Sequence, residues 1–256
     1  MTVLINSDME SKTASSWLSP FMQNNHDTSV HAGGVIDDNA QTEAARYAVL
    51  RRLAPTIRHH LVGELQPIGM IATMFDRRLQ TDAPNLSHLR ENTTALGKLS
   101  RTAASTCMNL MSWLAPKSSS VTPFGSGVVD CLSLLTTEFR FRGFVIVNEI
   151  TDLSVEVSTT ALRSVLPAAL MALSDQQSEP ADFVLNADLM PHGVALSIVR
   201  QSSERSADNS PIAEYRALTW QDVRALAEAE SVVFSQSADA VLLTFSKARS
   251  ATHLAG

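Results

Sequence analysis

Two cysteines in 256 residues, Cys107 and Cys131, are too few for a disulfide framework or a zinc cluster. Both fall in helical patterning, and they read as reduced core residues of an intracellular protein. Long apolar runs are also missing, because no stretch approaches the roughly 20 residues that a bilayer-spanning helix needs. The opening MTVLINSDMESKTASSW has no basic patch leading into an apolar core, so a cytoplasmic location is expected. Positive charge is scarce: 20 Lys and Arg against 26 Asp and Glu give a net charge of -6 and no broad surface for a nucleic-acid backbone. P-loop, GxSxG, HExxH and CxxC patterns are absent, and His88 and His192 each stand alone without metal-ligand spacing. What remains is a chain with 45% hydrophobic residues, long enough for one large or two modest domains with real cores.

Periodicity divides the chain. Residues 1–38 are rich in Ser, Asn, Asp and Gly and read as a flexible arm, with a short helical turn near Trp17 to Met22 suited to docking on a partner. A helical-hairpin domain is expected over 39–116. Its first helix runs from Thr42 to about Gln80 with bends at Pro55 and Pro67. Asp82 is placed to cap the second, with Pro84 in its first turn, and that helix reaches Leu114. APKSSSVTPFGSG at 115–127 has the composition of a boundary. An α/β domain over 124–250 follows. Helices are expected over 128–140, 159–175 and TWQDVRALAEAE, the last with Thr219 as cap and Asp222 completing a capping box. Strands are expected over 144–149, 153–157, 182–188, 193–200, 231–236 and 240–246, with Gly193 at positive φ in a turn. This order points to a mainly antiparallel or mixed sheet with helices on one face, and no internal repeat is evident.

Two long helices joined by a few residues must lie antiparallel. Leu61, Leu65, Ile68, Ala72, Phe75 and Leu79 recur at steps of three and four, and Leu89, Leu96, Leu99, Ala103, Leu110 and Leu114 do so on the second helix. One hairpin cannot bury both stripes. Either the C-terminal part covers them or two chains pair into a four-helix bundle, and the second arrangement is favoured here.

RHHLVGELQPIGM, residues 58–70, places two histidines beside that stripe. With Leu61 at zero and about 100° per residue, the stripe stays within roughly 40°, while His59 points about 160° away and His60 about 100° away. His59 therefore faces solvent and His60 lies on the flank. An exposed histidine is ordinarily just solvated, yet a neutral imidazole is also a nucleophile able to accept a phosphoryl group. Arg58 and Glu64 are near enough to tune such a ring or to engage a docked protein.

HHLVGELQPI, residues 59–68, resembles the H-box of sensor histidine kinases in its H-[DE]-F-N-N-L-L-x-P-I form. His59 matches the phosphoacceptor, Leu61 the hydrophobic position, Leu65 the later leucine and Pro67-Ile68 the terminal pair. His60 replaces the usual acid, which the family uses in phosphotransfer from ATP, and Gly63 stands where an amide would be. A shorter H-E-L-x-x-P register, shared with ChpT-type histidine phosphotransferases, which PIGMI resembles, instead puts Val62 at the acceptor position. The outward direction of His59 favours the first register, with His60 second.

The resemblance spans about residues 42–248, and TTALRSVLPAALMALSD resembles the N-box helix of the kinase ATP-binding domain. That family holds Mg²⁺ and phosphates with Asn and an acid, and closes its lid on glycine-rich motifs. Here the helix carries Ala, Leu and Met, Asp175 is left as a helix-end cap, a solvated residue or a stand-in acid, and Gly193 is the one glycine between Gly143 and Gly256. Arg200 and Arg205 show no convergent partners. ATP is not expected as a ligand, and no other cofactor is expected to bind tightly.

The resemblance implies a dimeric helical hairpin followed by a degenerate histidine-kinase-like ATPase domain. The expected function is phosphoryl exchange between response-regulator receiver domains through His59 or His60, with Mg²⁺ held by the receiver. A non-catalytic adaptor or pseudokinase that binds a sensor kinase or response regulator is the alternative.

Overall fold

A computed structural model describes residues 38–81, 85–114, 119–151, 153–203 and 215–248. The expected turn at Trp17 to Met22, the Asp82 cap, Pro84 and Arg205 lie outside those residues. Helix α1 spans Asp38–Leu79 and helix α2 Leu86–Leu114, packed as a hairpin. Both Pro55 and Pro67 sit inside one unbroken helical span. The residues four positions earlier, Arg51 and Gly63, are exposed, so solvent is available to the carbonyls each proline leaves without a donor. Asn85 serves the start of α2: its Oδ1 accepts from the backbone N–H groups of Ser87 at 3.0 Å and His88 at 3.3 Å.

The stretch read as a boundary already carries structure. Strand β1 (Val121–Pro123) pairs antiparallel with β3 (Glu156–Ser158), and helix α3 (Phe124–Phe141) starts directly after Pro123. Strand β2 (Val145–Asn148), helix α4 (Thr159–Asp175), strands β4 (Ala181–Met190) and β5 (Gly193–Ser202), helix α5 (Trp220–Ala229) and strands β6 (Val233–Gln236) and β7 (Ala240–Ser246) complete the domain. The main sheet has the order β2-β4-β5-β7-β6, with β2 parallel to β4 and every other pair antiparallel. Its core-facing residues include Phe183, Leu185, Leu196, Ile198, Leu243 and Phe245, while Asn186, Ser197 and Thr244 alternate with them. Helix α4 is buried continuously from Val165 to Ser174, as its apolar composition on every side requires.

One glycine is explained by a close contact and another by its backbone angle. Gly193 pairs with Ser246, and a Cβ there would lie 1.9 Å from the Phe245 carbonyl oxygen. Strand proximity, rather than the expected positive φ, is thus what demands glycine at this position; among the described residues the positive-φ glycine is Gly143, at 82° after α3. Two other expectations change and a third holds. Cys131 is buried but Cys107 is exposed on α2, so only one cysteine is a core residue. Arg200 has a partner, since its Nη1 lies 2.6 Å from Asp239 Oδ1. The Thr219 and Asp222 capping box forms as expected, and it opens α5.

Candidate functional site at the exposed face of the first helix

The first half of α1 is part of the α/β domain. Ala45, Ala48, Val49, Arg52 and Leu53 are buried where α1 crosses α3, α4 and α5. His59 follows Arg52 by seven residues, about 700° at 100° per residue, so both project from nearly the same side of the helix. The face that is covered up to Thr56 therefore runs on into solvent as His59, Gly63, Met70 and Met74, all exposed. A partner seated on His59 meets the rim of the α/β domain as well.

His59 is exposed and His60 half-buried, with ring centroids 6.3 Å apart and planes tilted by 53°. Among the described residues, no group is hydrogen-bonded to either imidazole. Glu64 is half-buried on the His60 side of α1, four residues on, and Arg58 is exposed. Arg58 and Glu64 make no ion pair with the rings, so the four residues picked from the sequence share a helix segment without forming a closed constellation. Nothing here orients an Nδ1–H or Nε2–H of His59, and the unassisted ring retains what exposure gives it: access and nucleophilicity.

A second exposed face of α1 carries Val62, Leu65 and Leu79, at 53%, 56% and 49% exposure. Beside it α2 exposes Leu86, Met108, Met111 and Leu114. Of α2 only Leu89, Ala103, Leu110 and Trp113 are buried, and Leu110 and Trp113 belong to the core shared with the α/β domain. Leu65 and Leu79 point away from the side of α1 that carries buried Arg52.

The strongest electrostatic feature lies deeper. Arg52 is 4% exposed; its Nη2 donates to Glu138 Oε1 at 2.7 Å and its Nη1 to Asp175 Oδ2 at 2.5 Å. Arg142 Nη2 reaches Asp175 Oδ1 at 2.9 Å, and the Leu218 backbone N–H donates to Asp175 Oδ2 at 2.8 Å. Burial works against the Arg52 charge, but Glu138 and Asp175 outweigh it and raise its pKa above the ordinary value. Asp175 is thus neither a free cap nor a solvated residue, because both of its oxygens are held by arginine. A similar knot lies at the start of α1, where the fully buried Asp222 accepts from Gln41 Nε2 and Arg216 Nη2, each at 2.6 Å. Arg52, Glu138, Arg142 and Gln41 escaped sequence reading because the partners are up to 181 positions apart. The one available signal was Arg52 itself, a charged residue on the docked side of an amphipathic helix.

No three ligating side chains converge on a metal-sized site among the described residues, and no described helix is long and apolar enough to cross a membrane. Ser174, the polar residue in the last turn of α4, has its hydroxyl committed to Arg142 and the Met171 carbonyl.

No model of a protein family and no curated protein matches the sequence. Solved structures show distant similarity to histidine kinases. The Acinetobacter baumannii histidine kinase AdeS is 14% identical, with 70% of this chain and 94% of that chain covered and a TM-score of 0.38. A histidine kinase from Burkholderia phymatum is 13% identical over 79% of this chain and 98% of that one, with a TM-score of 0.40. Histidine kinase ThkA in complex with the response regulator protein TrrA is 14% identical over 86% and 68%, with a TM-score of 0.37.

Proposed function

We propose that this chain is a non-kinase member of a two-component signalling system: a homodimeric docking protein whose α/β domain holds its hairpin in place instead of processing ATP. The observation that carries this reading is the fate of Asp175. In the kinase-like register it ends the N-box-like helix, yet Arg52 and Arg142 occupy its oxygens, and α1 lies across the helix layer that contains it. A role for Asp175 in holding Mg²⁺ would require it to give up two guanidinium partners. This commitment of Asp175 supports a domain that does not process ATP. Dimerisation rests on the Val62, Leu65, Met108 and Met111 surface, which matches a second copy of itself in chemistry and length. The exposed methionines beside His59 provide an adaptable surface for a receiver domain or a sensor kinase.

A second reading, phosphoryl relay through His59 between receivers, is favoured by the exposure of that ring and by the H-box register. The relay requires transfer of a phosphoryl group from an aspartyl phosphate of one receiver to an imidazole nitrogen and on to the carboxylate of the next, with the receivers holding Mg²⁺.

One experiment separates these outcomes. The protein is isolated from its own cells under acid-protected conditions, and phosphohistidine is mapped by mass spectrometry beside His59→Ala and His60→Ala variants. Mg-ATP is titrated calorimetrically into the same preparation. No phosphohistidine and no ATP heat, with partners still co-isolating, is the expected result for the adaptor. Phosphate at His59 transfers the assignment to relay, and micromolar Mg-ATP binding overturns both.

A further inference from the structure

The main sheet ends in β2 on one side and β6 on the other, and the two edges differ. Val145, Ile146 and Val147 of β2 are half-buried, whereas Val233 of β6 is 68% exposed and Ser235 and Gln236 are exposed beside it. Soluble sheets ordinarily blunt a bare edge with charge, proline or a bulge. Residues 231–238, SVVFSQSA, hold neither a charged residue nor a proline, and the register from Val233↔Thr244 to Gln236↔Val241 runs without a bulge. Two hydrogen bonds fix which way the backbone of β6 points. The Ser237 N–H donates to the Ala240 carbonyl at 2.8 Å between β6 and β7, and the Arg200 N–H donates to the Asp239 carbonyl at 2.7 Å between β5 and β7. Antiparallel ladders alternate bonded and unbonded pairs, so Val233 and Ser235 turn to β7 while Phe234 and Gln236 turn their N–H and C=O groups outward. Among the described residues nothing answers those groups. Val232, the preceding residue of the same parity, already donates to the Ala227 carbonyl at 2.8 Å.

We infer that β6 pairs antiparallel with β6 of a second copy of this chain, about a twofold axis at Ser235. In that register Phe234 of each chain faces Gln236 of the other, so every outward donor and acceptor meets its complement. Ser235 then faces its own copy at the unbonded position, where Cα atoms approach to about 4.5 Å and a small side chain fits. Val233 faces Ser237, and no like charges stand opposite each other, a condition that a charged edge could not meet with itself. The contact is one short strand, so its dissociation constant is expected on the order of 0.1 mM. It acts where copies are crowded and leaves the dilute species unchanged. This axis is separate from the hairpin, so the contact joins hairpin dimers into larger assemblies, and it stands whether or not the hairpins pair.

The test is sedimentation of the full chain from about 5 µM to about 500 µM, a range that brackets the expected constant. The weight-average mass should at least double across it. In the Leu65→Glu background the same step should run from single chains toward pairs and stop there, because each particle then carries one edge. Ser235→Lys and Ser235→Asp, at an exposed position, should each suppress the step by setting like charges opposite each other, and an equimolar mixture of the two should restore it. Gln236→Pro removes an outward donor from each copy and should weaken association at least about tenfold, whereas Gln236→Ala, which keeps that N–H, should not. A mass that stays flat to the highest concentration overturns the proposal and leaves the edge to a strand from another protein. A step indifferent to the Ser235 charges, or a mixture that fails to restore it, overturns it as well.

Discussion

Arg52 of α1 and Asp175 of α4 stand 123 positions apart and meet at 2.5 Å, Arg52 only 4% and Asp175 only 8% exposed. Their joint welds the hairpin to the α/β domain. Arg52→Ala leaves Asp175 to Arg142 and the Leu218 N–H and takes from Glu138 its nearer guanidinium, and should cost about 2–3 kcal/mol of unfolding free energy, read from urea denaturation. Arg52→Lys should recover only part of that loss, because a single ammonium cannot serve two carboxylates in the geometry of the guanidinium fork. Equal stability of Arg52→Ala and the parent would remove the joint from the account of the fold.

The two thiols should behave as different chemical species. Cys107 is open to a maleimide in the native protein, whereas Cys131 is buried and its pKa is raised by that burial, so native labelling stops at one thiol per chain and reaches two in denaturant. The raised folded-state pKa sets the sign of a pH effect. Stability from the neutral Cys131 is complete below the unfolded thiol value of about 8.5 and declines as the pH rises above it. Cys131→Ala should flatten that alkaline decline in a series of denaturation midpoints, after allowance for its own constant cost.

Two backbone positions should respond in opposite directions. Gly193→Ala pushes a methyl into the Phe245 carbonyl at 1.9 Å, so the β5–β7 pairing must open, at a cost of at least 1–3 kcal/mol. Ser231 follows α5 with φ at 57°, and Ser231→Gly should raise stability by about 0.5–1 kcal/mol. Thermal midpoints of the two variants provide the check: an unchanged or raised midpoint for Gly193→Ala contradicts the first assignment, and an unchanged or lowered one for Ser231→Gly the second.

Local signals carried much of this fold in the sequence. Helix α4 was bounded to the residue because apolar sequence between Ser158 and the polar run after Asp175 leaves little choice. The α5 capping box was legible because Thr219 and Asp222 satisfy each other within one turn. Long-range closure was not legible. Gly193 looked like a turn glycine until Phe245 arrived from a strand that pairs over fifty residues later, and Asp175 looked ornamental until Arg52 reached it. His59 gave its direction through helix period alone, but no period reveals whether a ring has an orienting neighbour.

The proposed dimer makes a further demand on the hairpin. Leu65→Glu and Met111→Glu each place a carboxylate in an exposed apolar face while touching none of the buried α2 residues. Light scattering after size exclusion should show the parent as a dimer and both variants as monomers with unchanged helix content. A monomeric parent would disprove the assembly, and with it the four-helix bundle.

The unbroken course of α1 from Asp38 to Leu79 turns chain length into an angle. Seven steps separate Arg52, clamped inside the body, from His59 outside it, and one inserted or deleted residue would swing the imidazole by about 100° and shift it about 1.5 Å along the axis. Substitutions between these positions leave that bearing alone, whereas a change in their number would aim His59 at a different neighbour. Insertions and deletions are thus a harsher sieve on this segment than point changes, and the spacing of seven is a quantity that descendants of this sequence can be compared by.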